Sequence, residues 1–424
     1  MFGPMERLLQ RLFGLIILPA SLPGDPGELA SDLVAEPLTT LRRVSPTTFW
    51  SLVRQLIHHE KLTIPDDPQL EMLLRAREKY RSSWTAATIV TADGVKLDAC
   101  YKPPADSQIA PRYILFIGGN SQKYEAWLPY FDMYANESEL GFLCFNFRGV
   151  SQSEGAVTCL ADMLADVRAA FDFLVEQRGA LPHHIVLHGF SIGGAIAAAF
   201  LGQPGAPRAA ITSDRSFSSF CHAAFALVRG PDAALGQRRA TEPAEEAEEG
   251  EAGGEPPAPE GSRPWLRGAM RGVIGFARAS AAQIGVIWAR STGWELDAVA
   301  AWPLIEGRKI VVFNAADNII NYQAASLHAA LERASRAAAE EATTSSGGFS
   351  AGLSGKESPS DSVPLAHDPA GSGRDLLAGV TVIESEIRYA QGWAMHDFPL
   401  TLDPEAWYAM IAAERSALGL PAQR

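Results

Sequence analysis

The sequence predicts an α/β fold, in which a mostly parallel central sheet is covered by helices on both faces. Two observations predict it: short, strongly apolar runs recur along the chain, and helical stretches such as residues 161–176 separate most of them. Strands buried on both faces of a parallel sheet read as continuous apolar runs rather than alternating ones. The runs are YILFI (113–117), FLCFNF (142–147), HIVLHG (184–189), AAITS (209–213), KIVVFNA (309–315) and VTVIESEI (380–387).

Residues 1–87 are predicted to form a helical extension that precedes the α/β domain of residues 88–424. Within Phe49–Ile57 the apolar residues are three to four positions apart, as on the buried face of a helix. The pattern then changes: TIVTADGVKLDACY, which begins at Thr88, predicts two strands joined by a turn at Ala92–Gly94. The sheet is therefore expected to begin with a hairpin.

An apolar run, LFGLIIL at residues 12–18, follows two arginines near the N-terminus. The run is too short to cross a bilayer as a helix. Three interpretations stay open: a helix packed on the core of the domain, the apolar region of a signal peptide, or an anchor that contacts a membrane surface.

The four cysteines show no CxxC or Cys/His spacing. The sequence therefore predicts neither a disulfide framework nor a structural zinc. Cys100 and Cys144 fall in predicted strands, where cysteine is a small apolar residue. This pattern favours a reducing compartment, and the expected location is the cytoplasm, with secretion and membrane association as the alternatives.

Two low-complexity segments interrupt the alternation of strands and helices. Residues 231–264 are rich in Glu, Pro, Ala and Gly, and residues 341–374 are rich in Ser, Gly, Ala and Pro. Neither can bury enough apolar surface to offset its ordering entropy, so both are predicted to be flexible insertions. Eight glutamates between Glu242 and Glu260 account for much of the net charge of −13. No basic stripe indicates a nucleic-acid partner.

Residues 265–288 are predicted to form an amphipathic helix between the fourth and fifth apolar runs. Arg267, Arg271 and Arg278 fall on one helical face, and apolar residues fall on another. Two interpretations stay open. The helix forms a lid over a site, or it packs on the sheet as an ordinary helix.

Residues 189–194 read Gly-Phe-Ser-Ile-Gly-Gly and match the pattern G-x-S-x-G. The run HIVLH precedes the motif and the small-residue helix GGAIAAAF follows it, which is the strand–turn–helix setting that the motif requires. Gly189 and Gly193 let strand and helix approach closely, and the turn lifts the Ser191 hydroxyl above the sheet. Ser191 is therefore the candidate nucleophile.

A serine hydroxyl needs a base to take its proton, and in this arrangement an acid and then a histidine follow the nucleophile along the chain. Asp317 comes directly after the run KIVVFN, at the carboxyl edge of the predicted sheet. Its alternative role is to cap the helix expected near Gln323. Asp297 is the alternative acid, but it precedes the strand and is expected at the opposite edge.

Three histidines follow His222: His328, His367 and His396. His328 falls in a predicted helix and His367 in the second insertion. His396 comes after the last predicted strand and before the C-terminal helix, where a loop can deliver an imidazole above the sheet. His396 is therefore the candidate base.

An oxyanion formed at Ser191 needs two hydrogen-bond donors. One is expected to be the backbone N–H of Ile192, directly after the nucleophile. The second is expected to come from the turn after YILFI, and the backbone N–H of Asn120 is the candidate.

Several segments resemble α/β-hydrolases of the esterase, lipase and serine-peptidase-like group. FIGGN resembles the oxyanion loop, NFRGVSQSEG the Arg-Gly loop, LHGFSIGG the nucleophile elbow, and residues 214–218 the segment after the next strand. The combination is most similar to the CHLPS-type family of chlamydiae and other intracellular bacteria. One departure is Gly118, which stands where the oxyanion loop usually has a histidine.

The resemblance implies the α/β-hydrolase fold and transfer of an acyl group from a small-molecule ester, thioester or amide to water. It implies no metal and no organic cofactor. The alternative is a hydrolase-fold protein that acts as a binding or effector module with a weak or inactive site.

Overall fold

The computed structural model describes residues 68–106, 110–120, 122–221, 223, 293–317, 319–346, 375–388 and 396–421. Within these ranges one sheet contains eight strands in the order β1-β2-β4-β3-β5-β6-β7-β8. The strands are β1 (Thr85–Val90), β2 (Lys96–Lys102), β3 (Tyr113–Ile117), β4 (Gly141–Phe145), β5 (Ile185–Phe190), β6 (Ala210–Asp214), β7 (Lys309–Phe313) and β8 (Val380–Glu384).

The sheet is mostly parallel. β2 runs antiparallel to both β1 and β4, whereas β4, β3, β5, β6, β7 and β8 run parallel to one another. Every residue of β3, β4, β5 and β6 is buried. The six strands predicted from apolar runs and the hairpin are confirmed. In β3 and β4 the run is apolar throughout, as expected for strands covered on both faces.

Helices cover both faces of the sheet. They are α1 (Pro68–Glu78), α2 (Tyr124–Ser138), α3 (Leu160–Asp172), α4 (Ile192–Leu201), α5 (Ala298–Ala301), α6 (Tyr322–Ala325), α7 (Leu327–Ser346) and α8 (Pro404–Ala417). A π-helical turn at Phe173–Gln177 extends α3, and 3₁₀ turns lie at Pro182–His184, Trp302–Leu304 and Leu400–Leu402.

Alternate residues of the strands enter two separate hydrophobic cores. In β3, Leu115 points to the core that contains α3 and α4, and Phe116 points to the core that contains α2 and α8. This is the two-faced arrangement that the α/β prediction requires.

The last helix of the predicted N-terminal extension, α1, is joined to the sheet. Arg77 Nη1 donates to Asp98 Oδ1 at 2.9 Å and to the Tyr124 hydroxyl at 2.8 Å. The first strand then begins at Thr85, just before the predicted boundary. Residues 1–67, including the apolar run at 12–18, lie outside the described residues. No helix in the described part of the chain is long and apolar enough to cross a membrane.

The second predicted insertion begins later than expected. α7 continues to Ser346, so residues 341–346 are helical. The Ala- and Glu-rich run that precedes them favours a helix that extends past the predicted boundary. Residues 347–374, the first insertion at 231–264 and the predicted lid helix at 265–288 lie outside the described residues.

Candidate active site

Ser191 lies on a strained turn between β5 and α4. Its backbone has φ 55° and ψ −122°, in a region that residues with a side chain rarely adopt. The Ser191 N–H donates to the carbonyl oxygen of Asp214 at 2.9 Å, which ties the turn to the end of β6. Strain held in place by neighbouring structure is typical of functional sites.

The two motif glycines allow the close packing around this turn. A Cβ atom at Gly189 would lie 2.3 Å from the carbonyl oxygen of Gly193, and one at Gly193 would lie 2.0 Å from that of Ile117. Neither position can hold a side chain without moving the backbone. The strand–turn–helix setting expected from the sequence is present.

Asp317 and His396 form a buried pair. The His396 Nδ1–H donates to Asp317 Oδ2 at 2.7 Å, and the two side chains are 5% and 4% exposed. A carboxylate only accepts hydrogen bonds, so this contact places the ring proton on Nδ1 and leaves Nε2 as the basic nitrogen. The pairing is the one that a triad requires.

Asp317 does not cap the helix near Gln323, because that helix, α6, is capped by Asn321, whose side chain accepts the N–H of Ala324 at 2.9 Å. Asp317 instead orders the turn before it. Its Oδ1 accepts the backbone N–H of Ile319 at 2.9 Å and that of Ile320 at 2.8 Å. One oxygen therefore orders the turn after β7 and the other orients the imidazole. Asp297 Oδ1 accepts the N–H of Ala300 at 2.9 Å and caps α5.

The candidate base lies beside the elbow. The His396 ring packs 5.2 Å from the ring of Phe190, the residue before the candidate nucleophile. Its Nε2 atom is buried and has no hydrogen-bond partner among the described residues, so it is not bonded to Ser191 here. Such bonds are often long in free enzymes and shorten in the substrate complex.

The two predicted oxyanion donors lie on adjacent segments. Ile192 is the first residue of α4, where the N-terminal end of the helix dipole favours negative charge. The loop after β3 packs against the same turn, because Gly193 lies close to the carbonyl oxygens of Ile117 and Gly118. Asn120 ends this loop and is exposed.

Gln122 orders the candidate oxyanion loop, a role that no motif in the sequence indicates. Its Oε1 accepts the N–H of Gly119 at 2.8 Å, so that N–H is not directed to a substrate. A Cβ at Gly118 would touch the Gln122 side chain. An amide side chain therefore packs at the position where the oxyanion loop usually carries a histidine.

A buried polar network lies beneath the elbow, centred on His188 of β5. His188 Nδ1 lies 2.9 Å from Glu414 Oε1 and 3.0 Å from the Tyr134 hydroxyl. The Thr212 hydroxyl donates to the same Glu414 oxygen at 2.7 Å. His188 Nε2 lies 3.8 Å from Asp214 Oδ2, an ion-pair distance rather than a hydrogen bond.

The network changes the pKa values of its members. Burial lowers the pKa of His188, but the nearby carboxylates of Asp214 and Glu414 outweigh burial and raise the pKa to about 9. Burial acts to raise the pKa of Asp214, and the charge of Arg215 and the imidazole of His188 lower it well below its usual range. The candidate active site is therefore packed against a cluster of buried charged groups.

We expect the stability of the protein to fall as pH rises toward 9. The folded-state pKa of His188, about 9, lies above the ordinary value of 6.5. The protonated ring therefore stabilises the fold fully below pH 6.5, and this contribution, on the order of 3 kcal/mol, is lost as pH rises through 9.

Urea unfolding of the wild type and of His188→Gln between pH 6 and 9.5 measures this contribution. The variant should lose part of the pH dependence, and His183→Gln, at an exposed position, should keep the wild-type curve. An unchanged curve in His188→Gln would show that His188 does not carry the effect.

A small cavity of about 10 Å³ lies beside the elbow, with room for about one water. Its walls are mainly aromatic, with one ion pair. The lining residues are Phe116, Gln122, Trp127, Tyr130, Phe190, Asp214, Arg215 and Pro399. An apolar group as small as a methyl would therefore largely fill this cavity.

Comparison with known protein families gives one match that covers more than half of the chain. The model of the Alpha/beta hydrolase family matches residues 114–348, more than half of the 424 residues. The chain belongs to the alpha/beta hydrolase family. The match extends from β3 to α7 and includes Ser191 and Asp317, whereas His396 lies beyond it.

Two known proteins are similar to part of this member of the alpha/beta hydrolase family. The uncharacterized protein YfhR of Escherichia coli O157:H7 is 29% identical over 160 residues, which are 35% of this chain and 53% of YfhR. The multifunctional-autoprocessing repeats-in-toxin of Vibrio vulnificus is 29% identical over 92 residues, 22% of this chain and 2% of the toxin. The chain thus spans less than two thirds of either relative.

Among solved structures, the Pyrococcus furiosus esterase Pf2001 matches with a TM-score of 0.44 and 13% identity. The match covers 80% of this chain and 94% of that chain. The family match and the strand order of the sheet together show the α/β-hydrolase fold.

Proposed function

We propose that this alpha/beta hydrolase is a serine hydrolase that cleaves a small-molecule ester, thioester or amide through an acyl-enzyme. The observation that carries the proposal is the buried 2.7 Å bond between His396 and Asp317 beside the strained turn of Ser191. The three residues supply the nucleophile, the base and the orienting acid that acyl transfer requires.

In the first half of the reaction, His396 Nε2 takes the proton of the Ser191 hydroxyl as Oγ attacks the carbonyl carbon. Asp317 stabilises the imidazolium that forms. The N–H groups of Ile192 and Asn120 stabilise the negative oxygen of the tetrahedral intermediate. His396 then gives its proton to the leaving group, and the acyl group stays on Ser191.

In the second half, His396 takes a proton from water, and the hydroxide attacks the acyl carbon. The tetrahedral intermediate collapses, the carboxylic acid leaves, and the proton returns to Ser191. Every proton moves between substrate, water and the three residues, so no step needs a metal or an organic cofactor.

The narrower assignments remain proposals. A carboxylesterase-like activity is the first choice, with peptidase and thioesterase activities as the alternatives. The CHLPS-type resemblance, the cytoplasmic location and the absence of a nucleic-acid partner are predictions from the sequence. The same holds for contact of residues 12–18 with a membrane surface.

Labelling with a fluorophosphonate probe tests the proposal, because only an activated serine reacts rapidly. The full chain is incubated with the probe, digested and analysed by mass spectrometry, and the label is expected on the peptide that contains Ser191. A series of p-nitrophenyl esters of increasing chain length then defines the acyl preference. A chain that neither labels nor cleaves any ester would instead be a binding or effector module.

A further inference from the structure

Arg215 occupies a position that no helix or strand explains. It follows β6 directly, and its backbone has φ 48°, in the left-handed region that disfavours side chains. Only 4% of the residue is exposed, and its N–H donates to the carbonyl oxygen of Val312 at 2.8 Å. A buried arginine in a strained conformation is held there by specific contacts.

The guanidinium group connects β6 to the loop of the candidate base. Its Nε and Nη2 atoms donate to the two carboxylate oxygens of Asp214, each at 2.8 Å. Its Nη1 atom donates to the carbonyl oxygens of His396 at 3.1 Å and Phe398 at 2.7 Å. One planar group thus holds two backbone carbonyls on either side of residue 397.

Aromatic rings enclose the guanidinium and extend the connection to the nucleophile. Its carbon atom lies 4.8 Å from the centre of the Phe190 ring and 4.7 Å from that of Phe398. Asp214 completes the link, because its carbonyl oxygen accepts the N–H of Ser191. The Asp214–Arg215 pair therefore contacts the backbone of both the nucleophile and the base.

The backbone of His396 needs such support, because it lies in a turn outside any strand or helix. A buried ion pair is by itself a weak source of stability, since desolvation offsets the attraction between the charges. The rigid fork of a guanidinium instead fixes direction. The contacts are therefore better explained by orientation than by stability.

We propose that Arg215 is a positioning residue that fixes the turn of His396 and aims its imidazole at Ser191. The inference rests on the proposed function, because an aimed imidazole matters only if His396 is the base. A misplacement of about 1 Å can lower a catalytic rate about a hundredfold.

Arg215→Lys and Arg215→Met test the proposal, with turnover measured per folded molecule from circular dichroism. Lysine keeps the charge opposite Asp214 but cannot hold both carbonyls, so kcat should fall at least about tenfold while KM stays within about twofold. Methionine removes every side-chain donor at this position, and kcat should fall about a hundredfold. Because lysine retains the ion pair, the test stands even if the methionine variant does not fold.

Arg415→Lys is the matched control. Arg415 on α8 is 6% exposed and also donates to backbone carbonyls, but these belong to Ser138 at 2.6 Å and Pro421 at 3.0 Å rather than to the Ser191 turn or the His396 loop. The Arg415→Lys variant should keep the wild-type kcat per folded molecule. Wild-type kcat in the Arg215 variants, or an equal loss in Arg415→Lys, would overturn the positioning role alone. A wild type that fails to label at Ser191 would overturn the proposed function and the inference together.

Discussion

Replacing Ser191 with alanine is expected to abolish hydrolysis, with kcat lowered on the order of a millionfold. Without Oγ no acyl-enzyme forms, and the remaining groups can only bind the substrate. The fold should be retained, because alanine has the same Cβ atom and keeps the N–H that donates to Asp214. Steady-state hydrolysis of p-nitrophenyl acetate, with a thermal unfolding curve of each protein, measures both expectations.

Ser416→Ala is the control for this variant, since Ser416 is exposed on α8. It should keep the wild-type kcat and the wild-type labelling by fluorophosphonate. If Ser191→Ala kept turnover within about tenfold of the wild type, the nucleophile would have to be a different residue.

Asp317→Asn is expected to lower kcat about ten-thousandfold. An asparagine can still accept the N–H groups of Ile319 and Ile320, so the turn after β7 should persist. Its amide nitrogen, however, would donate to His396 Nδ1 and move the ring proton to Nε2. The nitrogen that must accept the serine proton would then be blocked.

Kinetics of Asp317→Asn should therefore show the loss in kcat with little change in the melting temperature. Asp297→Asn is the matched control, because asparagine caps a helix about as well as aspartate and Asp297 caps α5. It should keep full activity. The reverse pattern, with activity lost only in Asp297→Asn, would assign the acid to Asp297.

The framework of the fold could be predicted because it depends on local sequence. Strands β3 and β4 are buried at every position and read as continuous apolar runs, as strands covered on both faces of a parallel sheet do. Residues 341–346 were assigned to a flexible insertion, but α7 includes them. Composition marks a low-complexity segment without marking where the preceding helix ends, since a helix that starts in an Ala- and Glu-rich run can continue into Thr and Ser.

The sequence predicts which residues form the candidate site, but not the contacts between them. Motif and chain order led to Ser191, Asp317 and His396. That Asp317 would order its own turn with one oxygen and bind His396 with the other had no signal in the sequence, because it depends on how a loop 79 residues away folds back. The contact of Arg215 with His396 is hidden from the sequence for the same reason. The contact of Gln122 with Gly119 spans only three residues, but no motif marks it.

By itself, the sequence determined where a strand must turn sharply into a helix at Ser191. Glycines without side chains and apolar runs act over a few residues, so their effects can be read directly from the sequence. Only the tertiary structure decided that Arg215 holds the carbonyl of His396, 181 residues further along the chain. A hydrogen bond between distant segments requires the whole sheet and its connections to bring donor and acceptor within about 3 Å.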